Sequence, residues 1–386
     1  MVDQHPRIVI TGLGIVAPNG LGKDEFWRNC ASGVSGIKPI TLFDASSYRC
    51  RYAGEISDFH PEPYLGPKGL RNLDRTTLLS LLAAKLAIED AQLAITDEHR
   101  NDIGVVLGST MGSVHSISEF DKEGLREGPR YVNPAHFPNT VINSPASQVA
   151  IRFGLKGLNS TISTGFTASL DAIGYAMDML QLGRAKALLV GGVEEFCIQT
   201  FLGFYKVGFL ATTQNGCPPF FAPFDDKRNG ALLGEGAVFV VLESLDDAQA
   251  RGATIVAELL SYSSQFRPES LYRLDPEARG PVAVMREALK DAHVEPDEID
   301  YISACANSTK VCDEMETTAL HAVFNSHTNE IPVGAVKSLI GESFSAGGAF
   351  QLASTLGALV QDGGQTALIN TFGPMGTSAA LLVARS

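Results

Sequence analysis

Short β-branched runs alternate with amphipathic helical segments along all 386 residues, and this predicts an α/β protein whose sheets are covered by helices. The same alternation recurs on both sides of Asp246-Asp247-Ala248-Gln249-Ala250-Arg251-Gly252, which predicts a duplicated unit. The expected halves are residues 1–250 and 251–386. Strands are expected at Arg7–Ile10, Ile103–Leu107, Leu158–Ser163, Ala187–Val190 and Ala237–Leu242 in the first half. In the second they fall at Ile255–Ser261, Tyr301–Ala304, Val333–Ala335, Ala367–Asn370 and Ala380–Val383. Leu78–Gln92 and Pro281–His293 carry helical periodicity, and a helix rich in small residues should end near Gly183. No low-complexity tract or long linker separates the halves, so one fused body is expected.

Composition excludes several functions. Apolar residues make up 45% and charged residues 19%, the balance of a globular chain with a substantial core. A net charge of −13 without any basic stretch argues against nucleic acid and against this chain being the main dock for an acidic partner. No apolar run approaches the roughly 20 residues of a membrane span. The polar segment Met1–Arg7 leads directly into a strand, so a cytoplasmic location is expected. Six cysteines (Cys30, Cys50, Cys197, Cys217, Cys305 and Cys312) lie scattered without a CxxC pair, as reduced thiols do. The eight histidines show no HxxxH spacing, and no metal or cofactor is expected.

Gly12-Leu13-Gly14-Ile15-Val16-Ala17 fits the dinucleotide pattern GxGxxA after a strand. That motif needs a helix opening directly on its last glycine, whereas here Pro18-Asn19-Gly20 turns and helical periodicity starts only near Lys23. The match is set aside. More informative is Leu158-Asn159-Ser160-Thr161-Ile162-Ser163-Thr164-Gly165-Phe166-Thr167-Ala168-Ser169-Leu170, an alternating run that turns at Gly165 into a helix. A strand-to-helix elbow exposes one side chain at a helix N-terminus, where the dipole favours a thiolate or alkoxide. The residue there is Phe166, which fills space and cannot attack anything.

This elbow, with Ile8-Val9-Ile10-Thr11-Gly12-Leu13-Gly14, Pro223-Phe224-Asp225…Gly234-Glu235-Gly236-Ala237 and Asn370-Thr371-Phe372-Gly373, resembles the β-ketoacyl synthase family of condensing enzymes over essentially the whole chain. The resemblance implies a thiolase-like, duplicated α-β-α-β-α layered fold. It also implies a cysteine at the elbow and two histidines that stabilise the oxyanion formed as a malonyl thioester decarboxylates. In Tyr301-Ile302-Ser303-Ala304-Cys305-Ala306-Asn307-Ser308-Thr309 the first histidine position is Cys305, and after Lys337-Ser338-Leu339-Ile340-Gly341 the second is Glu342. The family's late gate loop reads Gly373-Pro374-Met375-Gly376, with Pro374 and Met375 at the gate. Lys337, Asp313 and Glu316 stay in register and are expected to serve structure, Glu342 or Glu316 pairing with Lys337.

A cysteine is a poor substitute for an imidazole donor, and an ionised Glu342 would repel both the malonyl carboxylate and its enolate. The catalytic positions are therefore read as degenerate. A condensing-enzyme scaffold in that state resembles the chain-length factor, the noncatalytic ketosynthase-like (KSβ) subunit of type II polyketide synthases. That resemblance implies a heterodimer with an active ketosynthase, or a dimer of such heterodimers. An acyl carrier protein would act mainly through the partner, and the interface would shape the polyketide tunnel. It places the tunnel at Met111, Val114, Ile117 and Phe120, where ordinary core packing explains the apolar stripe equally well. The segments Asn133–Val149 and Leu158–Ser163 are further interface candidates. Phe166 replaces the glutamine common in that group, so aromatic and polyene products both stay open. Two other readings stay open: a stand-alone acyltransferase or hydrolase using Cys305, or Ser163, Thr164, Thr167 or Ser169 with Glu342 as base, and a noncatalytic acyl-binding homodimer.

Overall fold

The computed structural model describes residues 5–213, 221–268, 275–374 and 376–386; the gate residue Met375 and Cys217 lie outside the described residues. The first half contributes β1 (Ile8–Ala17), β2 (Ile103–Gly108), β3 (Asn159–Ile162), β4 (Ala187–Glu194) and β5 (Gly236–Ser244). The second contributes β6 (Ala257–Phe266), β7 (Tyr301–Ser303), β8 (Val333–Gly334), β9 (Thr366–Phe372) and β10 (Thr377–Arg385). With the short strand Gly20–Leu21 they form an 11-stranded sheet in the order β8-β7-β9-β10-β6-β1-β5-β4-β2-β3.

The duplication is visible in the pairing. In chain order within each half, the third strand pairs parallel with the second and the second parallel with the fourth. The fourth then pairs antiparallel with the fifth, and the fifth antiparallel with the first. The halves join where β1 and β6 pair antiparallel through Ile8–Ile10.

Helices stack around this sheet in layers set by the two-residue alternation of strand side chains. Val105, Leu107 and Leu189 face an outer core shared with α1 (Arg75–Asp90) and α3 (Ser144–Phe153). Val106, Leu188 and Val190 face the opposite way, onto α4 (Ala168–Gln181) and α8 (Gly347–Asp362). From the other half Ile369, Leu381 and Val383 reach the same central layer, whereas Leu368 and Leu382 pack on α6 (Arg279–Ala292) and α7 (Lys310–Phe324). The result is the expected α-β-α-β-α order, with α4 and α8 buried between the sheet halves.

Local departures from expectation have packing causes. Strand β1 runs on to Ala17 with every residue buried, because Gly12 and Gly14 let α1 press onto it. A Cβ at Gly14 would collide with the Ala83 carbonyl, and one at Gly12 would meet the Ala91 backbone nitrogen. The glycines of the GxGxxA match thus serve helix-on-strand packing. Helix α1 begins at Arg75 because Asp74 caps it, accepting from Thr77 N at 2.7 Å. Strand β6 is displaced to Ala257–Phe266, where successive residues pair along β10 with one register shift between Leu382 and Val383. Among the described residues no helix is long and apolar enough to cross a membrane.

Candidate functional site

Two elbows meet at the core's centre. The first turns from β3 through Gly165 (φ 78°) and Phe166 into α4. The second turns from the short helix Lys337–Ile340 through Gly341 (φ 85°), Glu342 and Phe344 into α8. Each glycine supplies a left-handed turn that a side chain would strain. Ser169 of α4 accepts from Ala349 N of α8 at 3.0 Å, tying the two helix starts together.

Phe166 occupies the elbow tip, half-buried. Its ring meets Phe344 edge-on at 5.3 Å and 88°, and Phe344 stacks on Phe204 at 4.5 Å. Phe344 holds φ 48°, a conformation a bulky side chain adopts only where packing enforces it. Gly373, after β9, lies against Phe166. The elbow thus points an aromatic ring into an aromatic cluster that includes half-buried Met111.

Behind this cluster sits a buried polar centre. Lys337 Nζ and Glu342 Oε2 pair at 2.9 Å with side-chain exposures of 1% and 0%. Lys337 also donates to the Cys305 carbonyl at 2.9 Å and lies 3.6 Å from Cys305 Sγ. Glu342 Oε2 accepts from Asn307 Nδ2 at 3.0 Å, and its Oε1 accepts from Phe344 N at 2.9 Å. The expected ion pair therefore forms with Glu342; Glu316 instead accepts from Cys305 N at 2.7 Å. Asp313 ties down the loop between β7 and α7, accepting from the backbone nitrogens of Asn307 (3.0 Å), Ser308 (3.2 Å) and Phe224 (2.9 Å).

Burial alone would disfavour the Lys337 charge, but Cys305 and Glu342 outweigh it and raise the pKa of the ammonium. Burial pushes the Glu316 carboxyl well up. The hydrogen bond with the Cys312 thiol, aided by Lys337, pulls the Cys305 thiol down to about 7 against the effect of burial. Cys305 is nonetheless only 1% exposed.

The elbow hydroxyls find a different carboxylate from the one expected. Thr164 Oγ1 and Thr167 Oγ1 donate to Asp171 Oδ2, while Tyr262 and Ser264 donate to its Oδ1. Ser169 serves Ala349, and Glu342 is engaged elsewhere. The pairing of these hydroxyls with a Glu342 base is thereby corrected. This arrangement fixes the turn.

The remaining sequence candidates separate. Pro374 is exposed in the turn after β9. The segment after β2 enters α2 (Val114–Glu127), which buries none of its residues. Val114 and Phe120 are half-buried and Ile117 is exposed, so the three lie at the margin of the core. Ile117 is 36% exposed, and Phe120 meets Phe137 at 6.1 Å. Tyr131, Val141 and Ile142, in the segment that follows, are also exposed, and among the described residues β3 pairs only with β2. Asn307, Phe344, Phe204 and Asp171 were not singled out from sequence; only their offsets from the elbows and from Cys305 could have pointed to them.

A duplicated five-layer fold with facing elbows at its centre defines a thiolase-like ketosynthase architecture. Residues 5–248 match the model of the beta-ketoacyl synthase N-terminal domain and residues 256–364 that of its C-terminal domain. The chain is 36% identical to a 3-oxoacyl-[acyl-carrier-protein] synthase 2 of Coxiella burnetii over 90% of this chain and 84% of the relative. A Synechocystis protein of the same name is 32% identical over 93% of this chain and 86% of the relative. Among solved structures, the ishigamide ketosynthase/chain length factor superposes with a TM-score of 0.90 at 28% identity, covering 99% of this chain and 100% of that one. A type II polyketide synthase acyl-carrier protein in complex with its ketosynthase, bound to the hexaketide, gives 0.89 at 26% identity, with coverage of 99% and 100%. The chain belongs to the beta-ketoacyl synthase family.

Proposed function

We propose that this chain is a noncatalytic chain-length factor. It pairs with an active, cysteine-bearing ketosynthase in type II polyketide biosynthesis, aromatic or polyene, and shapes the tunnel that limits the number of malonyl extensions. The observation that carries the reading is Phe166 at the elbow, packed edge-on against Phe344 where the family's chemistry needs a nucleophile. Cys305 and Glu342 at the two histidine positions support it, since neither supplies an imidazole donor to an enolate oxygen. The Lys337–Glu342 pair neutralises the former centre. The partly exposed apolar side chains of α2 and the edge strand β3 are surfaces suited to a partner. The likeness to a ketosynthase/chain length factor structure adds to this, whereas the relatives named as synthases speak for the family and not for the missing groups.

One observation favours a second reading, acyl transfer through Cys305, whose thiol is lowered to about 7. Its 1% exposure opposes that role. Native mass spectrometry of the protein isolated gently from its source cells separates the two. A 1:1 complex with a cysteine-bearing ketosynthase supports the proposal. A homodimer, above all one carrying a covalent acyl mass on Cys305, overturns it.

A further inference from the structure

Two adjacent carboxylates at the end of β4 hold the segment that leads into α2. Glu194 and Glu195 are 1% and 4% exposed and diverge to opposite sides of their strand. Glu194 Oε1 accepts from Thr110 N at 2.6 Å and Met111 N at 3.0 Å, and also from Ser345 Oγ of the second elbow. Glu195 Oε1 accepts from His115 N at 3.0 Å, in the first turn of α2, and its Oε2 lies 3.5 Å from Ser113 Oγ. Thr110 Oγ1 continues the chain of contacts to the Gly165 carbonyl at 2.8 Å.

Burying two acids side by side is unfavourable unless they satisfy groups with no other partner. Here the groups are the backbone N–H donors of an irregular segment and of an uncapped helix start: Ser113 makes no side-chain cap for α2. The pair therefore does what an N-cap and a turn would do elsewhere, but from a strand in the core. Glu194 holds Met111, and Glu195 holds the base of α2. Glu194 also spans from this segment to the elbow carrying Phe344.

We infer that Glu194 and Glu195 are positioning residues that seat the Thr110–His115 segment, and so set how far Met111, Val114 and Ile117 reach into the channel shared with the partner. The second clause rests on the reading proposed above; the first does not.

The experiment has two arms. On the purified chain, amide hydrogen exchange is followed at Thr110, Met111 and His115 in Glu194→Gln, Glu195→Gln and Glu195→Ala. A glutamine oxygen can still accept, so both Gln variants should keep near-parental protection, whereas Glu195→Ala should exchange about tenfold faster at His115. Unchanged His115 exchange in Glu195→Ala overturns the seat, and far-UV circular dichroism keeps unfolding distinct from local release. In the complex with its ketosynthase, fed malonyl groups on the acyl carrier protein, product length is measured by mass spectrometry. The expected result is a changed length distribution for Glu195→Ala, restored by Glu195→Gln. Parental lengths from an active Glu195→Ala complex overturn the specificity role. If the parental chain forms no complex, the chain-length-factor reading and this role fall together, while the exchange arm still decides the seat.

Discussion

Replacing Lys337 by Met tests whether the buried Lys337–Glu342 contact is a structural ion pair. The ammonium lies 2.9 Å from Glu342 Oε2, and both side chains are sealed from water. At an effective dielectric of ~20, two unit charges at that distance attract by about 6 kcal/mol. Part of that offsets their desolvation. Removing one partner strands the other, which costs about 3–5 kcal/mol for a buried pair. Met keeps much of the aliphatic stem, so little of the loss comes from packing. Asn307 and Phe344 N still reach Glu342 and lessen the penalty, which places the expected loss near 3 kcal/mol. Equilibrium unfolding in urea measures it as a lowered midpoint at constant slope. The double variant Lys337→Met/Glu342→Leu removes both charges and should recover most of the loss, giving a coupling energy of about 2 kcal/mol or more. A single variant within about 0.5 kcal/mol of the parent would refute the reasoning, because an uncompensated buried carboxylate cannot be that cheap.

Two further outcomes follow from the site. Phe166→Cys alone should yield no β-ketoacyl product from malonyl thioester, measured by mass spectrometry, because on the proposed reading Cys305 and Glu342 stand at the histidine positions; detectable product would sink that reading. The buried acids also predict a pH dependence. Burial pushes Glu194 from 4.5 up to about 7, and burial with the nearby charges of Asp74 and Glu235 pushes Glu195 up to about 8. Above 4.5 the unfolded chain releases both protons while the native chain keeps them, so these groups lower stability as pH rises towards 8. Each contributes a slope of up to about 1.4 kcal/mol per pH unit within its window. Glu195→Gln should therefore gain on the parent between pH 5 and pH 8 in urea unfolding, and parallel stability curves would contradict the assignment.

The layered fold was legible because its signals are periodic and local. Runs such as Ile103–Leu107 and Ala187–Val190 are short, β-branched and set between amphipathic helices, and the same order returns in the second half. Boundaries were less legible where tertiary packing decides them. The glycines of β1 read as a motif until α1 is seen lying on them. At the site, Phe166, Cys305 and Glu342 could be placed because they interrupt recognisable segments. What those residues bond to could not: the choice of Glu342 over Glu316 for Lys337 depends on how far the loop after β7 folds back. Nor does sequence spacing reveal that Thr164 and Thr167 turn to Asp171, since its facing partner Tyr262 comes from the other half of the chain.

On the proposed reading, the residues at the centre are physically matched to one another. Without an anion beside it, Lys337 would be a buried cation, at a cost of several kcal/mol. Glu342 supplies the compensating charge, and Asn307 and Phe344 N satisfy its oxygens. Phe166 meets the second elbow edge-on, and Phe344 holds a strained backbone conformation where the two rings meet. Each group that would have served chemistry has been exchanged for one that completes a contact. That argues for a scaffold maintained for its shape. It also explains why restoring one catalytic side chain at a time should disturb packing or charge before it restores any reaction. A triple variant, Phe166→Cys with Cys305→His and Glu342→His, would still leave Lys337 without its anion.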